Sequence, residues 1–247
     1  MFTRSVLFAL AATALTAALA GTPAIAATNL IVNGSFETGD FAGFTHTGIP
    51  GDSPAVVLVY NNAAGYGPGG GAYGEAVSPD SAVTPSTDAV GTHAAYFSTD
   101  FSTGETLSQL TVLHPGNYEI GFDAYLPQNG VNNPLDAHFS GQIIGVTVAS
   151  FSASQFGATQ WYHFAGVAGV SKSGFYQTSF VFNADGHPAQ DVVIDRIYAI
   201  TTNSPSTVVV PATPTTTIPE PAAWGLMLAG FIMVGGSMRR RTEVVVG

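Results

Sequence analysis

The stretch YQTSFVFN, residues 176–183, decides the fold. In an extended chain Phe180 and Phe182 point to one side and Val181 to the other, because successive side chains of a strand alternate between its two faces. Aromatic and β-branched residues of this kind are also typical of strands. The stretch therefore predicts a β-strand that buries one face in a hydrophobic core.

Similar short runs recur along the chain, separated by glycine, proline, asparagine and aspartate. They are AVVLVY (55–60), YEIGFDAYL (118–126), QIIGVTVASF (142–151) and DVVIDRIYAI (191–200). The sequence HPGN at 114–117 predicts a turn ahead of a strand. No segment between 27 and 202 has sustained helical periodicity with caps. Regularly spaced short strands without helices predict an all-β fold, a jelly-roll β-sandwich, in one domain spanning 27–202.

The charge of the chain excludes several classes of partner. The 247 residues carry a formal charge of −10 and no cysteine. Between 27 and 218 there are 14 acidic residues against Lys172 and Arg196, a net charge of −12. Such a domain lacks the clustered cations that nucleic acids require, and anionic lipid head groups repel it. Without cysteine there is no disulfide framework, thiolate catalysis or Cys-ligated zinc. Divalent cations, polyols and neutral surfaces remain as partners.

The N-terminus has the three parts of a secretory signal peptide. Arg4 supplies the positive region, residues 6–20 form an uncharged apolar core, and Ala24 and Ala26 are the small residues of a cleavage site. We predict that signal peptidase cleaves after Ala26 and that the protein is exported through the inner membrane. The alternative is an uncleaved anchor, which the Gly21-Thr22-Pro23 break disfavours.

The C-terminus predicts a membrane segment. Residues 222–238 form 17 uncharged positions, about 25 Å of helix against a hydrocarbon core of about 30 Å. The arginines that follow would stay cytoplasmic, with 242–247 as a short cytoplasmic tail. Residues 203–218 are rich in Thr, Pro and Val, which predicts an extended linker that holds the domain off the membrane. The alternative is a buried globular helix.

The same tail resembles the PEP-CTERM sorting signal in its PEPxxWA form. The match covers residues 219–241 and rests on a motif, an apolar segment and an arginine cluster in the order of that family. Its residues are Pro219, Glu220, Pro221, Trp224, Arg239, Arg240 and Arg241. The resemblance implies processing near the motif by an exosortase, in a Gram-negative bacterium that makes extracellular polysaccharide. It therefore implies a final place in the cell envelope, at the cell surface or outside the cell. Gly225 replaces the usual Ala, and the tail beyond the arginines is longer than usual.

The central domain resembles carbohydrate-binding jelly rolls of the galactose-binding-like type. The resemblance is carried by NLIVNGSFETGDFAGF (29–44), ETLSQLTVLHPGNYEIGFDAYL (105–126) and the closing stretch 191–200. It implies a first strand at 29–44, a last strand at 191–200, and a structural Ca²⁺ held by Glu37 and Asp195. Asp40 could add a ligand, since Ca²⁺ takes six to eight oxygens. Arg196 stands where the family has a second Asp, so it could weaken the site or pair with Glu37. The alternative is that Glu37 and Asp40 are ordinary turn residues.

Sugar binding needs aromatic platforms beside polar groups on a concave surface. The candidates are Tyr60, Tyr66, Tyr96, Tyr125, Trp161 and Tyr162. Trp161 begins an apolar run, which favours a core or half-buried position. The run NADG at 183–186 lacks the closing Glu of a calcium loop and predicts a turn.

Catalysis has little support in the sequence. The six histidines are scattered, and no nucleophile elbow is present. Three functions remain: a non-catalytic glycan-binding or adhesive module, a purely structural matrix protein, and, least supported, an exopolysaccharide hydrolase using two of the acids.

Overall fold

A computed structural model describes residues 27–48, 54–65, 67–98, 101–128, 137–187, 190–206 and 208–209. Within these residues it has eleven strands and one turn of 3₁₀ helix, Ala153–Gln155. The strands are β1 (Thr45–Thr47), β2 (Val56–Val59), β3 (His93–Phe97), β4 (Thr103–Leu113), β5 (Gly116–Tyr125), β6 (His138–Ile143), β7 (Val146–Ser152), β8 (Trp161–Val170), β9 (Gly174–Asn183), β10 (Val192–Thr202) and β11 (Val208–Val209).

The strands form two sheets with jelly-roll topology. The five-stranded sheet has the order β1-β4-β9-β6-β7 and the six-stranded sheet β11-β8-β5-β10-β3-β2. From β3 to β10 the chain passes to the other sheet at every connection except the β6–β7 hairpin. Among the paired strands described, only β11 runs parallel to its neighbour. The predicted all-β jelly-roll sandwich is confirmed.

The core between the sheets is aromatic. Phe122, Phe139, Phe180 and Phe182 are fully buried, and Phe180 lies 5.1 Å from Phe122 between ring centroids, edge to face. Val181, between the two buried phenylalanines, is only half-buried. The alternation predicted from YQTSFVFN is therefore confirmed, and one face of β9 lies in the core.

Two strand predictions need correction. Residues 142–151 form the β6–β7 hairpin rather than one strand, because Ile144 and Gly145 both adopt positive φ, 46° and 86°, as a tight hairpin turn requires. Residues 29–44 form turns rather than a first strand. Two backbone hydrogen bonds connect these residues to β10, one from Leu30 N to Ala199 O and one from Ile197 N to Gly34 O, both at 2.9 Å.

Two turns that carry the chain from one sheet to the other, β4–β5 and β8–β9, are held by the same kind of tyrosine contact. The Tyr118 hydroxyl donates to His114 O at 2.7 Å, and the Tyr176 hydroxyl donates to Lys172 O at 2.8 Å. Each buried tyrosine thus fixes the backbone four residues upstream, where the chain turns. The predicted turn at 114–117 is confirmed between β4 and β5.

The glycine-rich stretch 67–71 covers the edge of β2. Gly69 N donates to Val57 O at 2.8 Å, and Val59 N donates to Gly70 O at 3.1 Å. At Gly71 a Cβ atom would lie 2.0 Å from Asn62 O, so the close approach requires glycine. An exposed strand edge invites association with other chains, and this loop protects it.

The predictions for the two ends fall mostly outside the described residues. These are the signal peptide at 1–26, the sorting signal at 219–241 and the tail at 242–247. In the linker predicted at 203–218, Val208–Val209 pairs with β8. No helix in the described part of the chain is long and apolar enough to span a membrane.

Candidate functional site

The outer face of the five-stranded sheet carries uncharged polar side chains in rows. Each lies next in sequence to a core residue and so points away from the core, as Ser179 does beside Phe180. One row crosses three strands through Ser108, Ser179 and Gln142, which are cross-strand partners. The next row contains the polar residues Thr106 and Ser140 on either side of the apolar Val181. This arrangement offers hydroxyl and amide groups for hydrogen bonding across an uncharged central surface.

A groove of about 420 Å³ opens on this face. Its lining residues are Gly43, Thr45, Ser108, Gln109, Leu110 and Gln177. Leu110 is 49% exposed and supplies an apolar wall. Gln109 is held in place because its Oε1 accepts from Val32 N at 2.8 Å and its Nε2 donates to Val32 O at 2.9 Å. The groove is therefore polar, uncharged and partly fixed before any ligand binds.

The aromatic residues predicted as platforms lie on the other sheet, and they are buried. Tyr60, Tyr96, Tyr125 and Trp161 form a second hydrophobic cluster on the outer face of the six-stranded sheet. Trp161 packs 5.4 Å from Tyr125 between ring centroids, and its Nε1 donates to Ser78 O at 3.0 Å. The prediction that Trp161 occupies a core or half-buried position is confirmed, and an open platform at these four residues is not what the structure shows.

Tyr162 and Tyr66 are the two remaining candidates for an aromatic platform. Tyr162 is half-buried against Phe156, and its hydroxyl donates to Gly157 O at 3.1 Å. Tyr66 lies outside the described residues. No open row of tryptophan or tyrosine is therefore found among the described candidates.

A network of buried acids lies beside the aromatic cluster. Asp123 Oδ1 accepts from His163 Nδ1 at 2.6 Å, and Asp195 Oδ2 accepts from the Tyr60 hydroxyl at 2.5 Å. Asp195 is fully buried, and this burial raises the pKa of its carboxyl well above the usual value. Burial, followed by the neighbouring Asp195, also raises the pKa of Tyr60.

The third acid of this network, Asp80, is 6% exposed and comes from the segment between β2 and β3. Burial, followed by the neighbouring Asp123 carboxyl, raises the pKa of Asp80 to about 7. Arg196 Nη1 lies 3.7 Å from Asp80 Oδ2. Sequence reasoning missed this network, since the three acids are far apart in the chain and share no motif.

The three residues predicted to bind Ca²⁺ lie in different surroundings. Glu37 Oε1 accepts from the backbone of Thr92 and His93, both at 2.8 Å. Asp195 is bound by Tyr60 and by Arg196 N, the latter at 2.6 Å. The described residues contain no cluster of three or more His, Asp or Glu arranged for a metal ion.

Asp40, the third predicted ligand, closes a turn. Its Oδ1 accepts from the Thr38 hydroxyl at 2.6 Å and from Ala42 N at 3.0 Å. These bonds hold the pKa of Asp40 below its usual value. Arg196 pairs with Asp80, and no contact with Glu37 is found in the described part of the chain. Calcium binding stays a prediction.

Two features remain, the predicted turn at 183–186 and a second pocket. The 183–186 turn is confirmed, with Asp185 N donating to Asn183 Oδ1 at 2.9 Å. A second pocket of about 560 Å³ lies beside Asn29, Glu37 and Asp88. The Asn29 side chain donates to Asp88 Oδ2 at 2.7 Å.

Comparisons with known proteins give only distant likenesses. No family model matches the chain, and no curated protein matches it. Among solved structures, TmCBM61, in complex with β-1,4-galactotriose, is 19% identical with a TM-score of 0.43, over 71% of this chain and 99% of that one. A family 16 carbohydrate-binding module is 17% identical, with a TM-score of 0.36, over 69% and 99%. The CBM22-1 xylan-binding domain of Paenibacillus barcinonensis Xyn10C is 14% identical, with a TM-score of 0.38, over 69% and 93%. At these values the likeness assigns no ligand to this chain.

Proposed function

We propose that the β-sandwich is a non-catalytic glycan-binding module of an exported cell-surface or matrix protein. The observation that carries the proposal is the outer face of the five-stranded sheet, with its uncharged polar rows and its groove beside Leu110. A sugar presents hydroxyls together with apolar C–H faces, so it is bound by hydroxyl and amide groups beside an apolar wall.

The charge of the domain favours a neutral glycan. A net charge of −12 over residues 27–218 repels uronic acid polymers. The central rows of the face add no cation that would offset this repulsion, since they consist of Ser, Thr, Gln and Val. One of the solved modules is in complex with β-1,4-galactotriose and another is a xylan-binding domain, so galactan and xylan are suitable neutral probes.

Hydrolysis is the less supported alternative. Two carboxyls that cleave a glycosidic bond must face each other in a cleft open to substrate. Asp80 and Asp123 are neighbouring acids, but both are buried, so neither lines a cleft open to substrate. We therefore place no catalytic residue in the described part of the chain.

A structural matrix protein without a specific ligand is the second candidate. The observation that favours it is the burial of Tyr60, Tyr96, Tyr125 and Trp161, which removes the predicted aromatic platform. The two candidates differ in retention on polysaccharide gels. A binding module is retarded in native gels containing β-glucan, galactan or xylan and runs unretarded in alginate. A structural block runs alike in all four gels, and that result would overturn the binding proposal.

Export and sorting complete the proposal. The signal peptide ending at Ala26 and the motif Pro219-Glu220-Pro221 with Trp224 support secretion followed by exosortase processing. The test is the intact mass of the protein from its native host with and without the exosortase. We expect a mass ending near residues 219–221 only when the enzyme is present. A mass that retains residues 224–247 in both strains would make the tail a permanent anchor.

A further inference from the structure

The pocket beside Asn29 contains a carboxylate that pairs with no cation of the described chain. Asp88 is half-buried, and its Oδ2 accepts from Asn29 Nδ2 at 2.7 Å. The ion pairs among the described residues join histidines or Arg196 to other acids, and none includes Asp88. A carboxylate in such a position is stabilised by a positive charge close to it, so the pocket favours a cationic group.

A buried hydroxyl in the same pocket also favours a hydrogen-bond donor. Ser35 lines the pocket and is 5% exposed, and its Oγ has no hydrogen-bond partner in the part of the chain that the structure describes. The backbone beside it is fixed, because Ile197 N donates to Gly34 O at 2.9 Å. A buried hydroxyl without a partner costs free energy, and its oxygen can accept from an N–H group. A carboxylate together with this oxygen is a suitable site for an ammonium group.

The chain supplies an ammonium group at this place when the signal peptide is removed. Cleavage after Ala26, as predicted, adds water across the peptide bond, so that Ala26 leaves with a carboxylate and the nitrogen of Ala27 becomes the α-amino group. An α-amino group has a pKa of about 7.7–8.0 and is protonated at neutral pH. Ala27 is half-buried and lines the pocket together with Asp88. The new positive charge therefore arises in the wall of the pocket.

Asn29 holds this end of the chain against β10. Its Oδ1 accepts from Ala199 N at 3.1 Å, and its Nδ2 donates to Ile197 O at 2.9 Å. The two residues from Ala27 to Asn29 span at most about 7 Å, and the Asn29 side chain is itself bonded to Asp88. The nitrogen of Ala27 is therefore confined to the neighbourhood of Asp88, and little chain entropy opposes their pairing.

Glu37 is the other acid that lines the pocket, and it has donors of its own. Its Oε1 accepts from Thr92 N and from His93 N, both at 2.8 Å, and its Oε2 lies 3.5 Å from His93 Nδ1. Asp88 has only the neutral amide of Asn29 as a side-chain partner in the described chain. Asp88 is therefore the better partner for an added positive charge.

We propose that the α-ammonium of Ala27, created by removal of the signal peptide, binds in this pocket and pairs with Asp88. The uncleaved precursor has an uncharged peptide bond at the same position, so the domain reaches its full stability only after export. The proposal rests on the cleavage proposed above. It is independent of the groove beside Leu110, which has none of these residues in its lining.

The proposal is tested with three forms of the exported chain 27–247. The first has a free amine at Ala27, the second is acetylated there, and the third begins two residues earlier, at Ile25. Acetylation removes the charge, and the extension moves it by up to about 7 Å. We expect each change to lower Tm by about 2–4 °C, measured in EGTA so that a divalent cation does not replace the ammonium. Equal Tm values for all three forms would overturn the proposal.

Asp88→Asn identifies the partner of the ammonium. The amide oxygen of the variant still accepts from Asn29, but the negative charge is removed, so the three forms should melt alike. Asp185→Asn is the matched control, because Asp185 is 58% exposed on a turn and pairs with His138. This control should keep the whole difference among the three forms. A difference that persists in Asp88→Asn would refute the pairing.

Aminopeptidase digestion gives a second readout that does not depend on global stability. An ammonium bound in the pocket is protected from the enzyme and becomes accessible only when the terminus detaches. Release of Ala27, followed by intact mass, should be about fivefold faster in Asp88→Asn than in the unmodified chain and unchanged in Asp185→Asn. Equal rates in all three chains would contradict the binding of the terminus.

The intact mass of the exported protein separates the possible failures. A chain that begins at a residue other than Ala27 would overturn the predicted cleavage and the pairing together. A chain that begins at Ala27 but melts alike in its free and acetylated forms would overturn the pairing alone. Neither result changes the retention on polysaccharide gels, which tests glycan binding separately.

Discussion

Replacing Phe180 by Ala tests the packing of the sandwich most severely. Phe180 is fully buried, with its ring 5.1 Å from Phe122 and 6.1 Å from Phe139 between centroids. Both sheets contribute to this cluster, so neither can move in to fill the space that the ring leaves. The loss of buried surface together with the cavity should lower the free energy of unfolding by about 3–5 kcal/mol.

The matched control is Val181→Ala on the same strand. Val181 is half-buried and points out of the core, so its truncation should cost below about 1 kcal/mol. Urea unfolding measures both, and Phe180→Ala should lower the midpoint by about 2 M at an unchanged slope. Similar losses for the two variants would refute the alternation on which the fold of β9 rests.

Three further predictions concern single groups. Tyr118→Phe and Tyr176→Phe should each lower the free energy of unfolding by about 1 kcal/mol, measured in urea, because each removes a hydrogen bond to a backbone carbonyl. No loss in either variant would contradict the role of these tyrosines at the turns between the sheets. Burial raises the pKa of Asp195, so the contribution of this residue to stability is greatest at acid pH and is lost as the pH rises. In Asp195→Asn the free energy of unfolding should therefore fall less steeply with pH. An unchanged slope would contradict the role of Asp195. If Glu37 helps to hold Ca²⁺, then Ca²⁺ raises the melting temperature and EGTA lowers it, whereas no shift with either would remove calcium from the account.

The core of the fold could be predicted from sequence because strands are local patterns. In residues 176–183 the period of two alone places Phe180 and Phe182 in the core, and β9 has them there. In residues 142–151 the local pattern did not predict the structure. The turn at Ile144 uses a β-branched residue with φ of 46°, which local rules disfavour and which the surrounding sheet enforces.

The acid network could not be predicted, because its geometry is set by tertiary contacts. Asp80, Asp123 and Asp195 lie in a loop and two strands that meet only after folding. The bulge between Asp195 and Tyr198, with Arg196 at φ of 49°, sets the local direction of β10 beside this network. The same limit applies to the aromatic candidates, since composition does not distinguish an exposed platform from a ring buried in a cluster.

The most direct test of the glycan-binding account is calorimetric titration of the chain with the polysaccharide that retards it most. Ser108→Arg places a long cationic side chain in the groove, and Val83→Arg makes the same charge change at a residue that is 93% exposed in the segment between β2 and β3. The account predicts that Ser108→Arg weakens binding at least about tenfold, or 1.4 kcal/mol, while Val83→Arg binds as the unmodified chain does. Equal affinity for all three would contradict the assignment of the five-stranded sheet as the binding face.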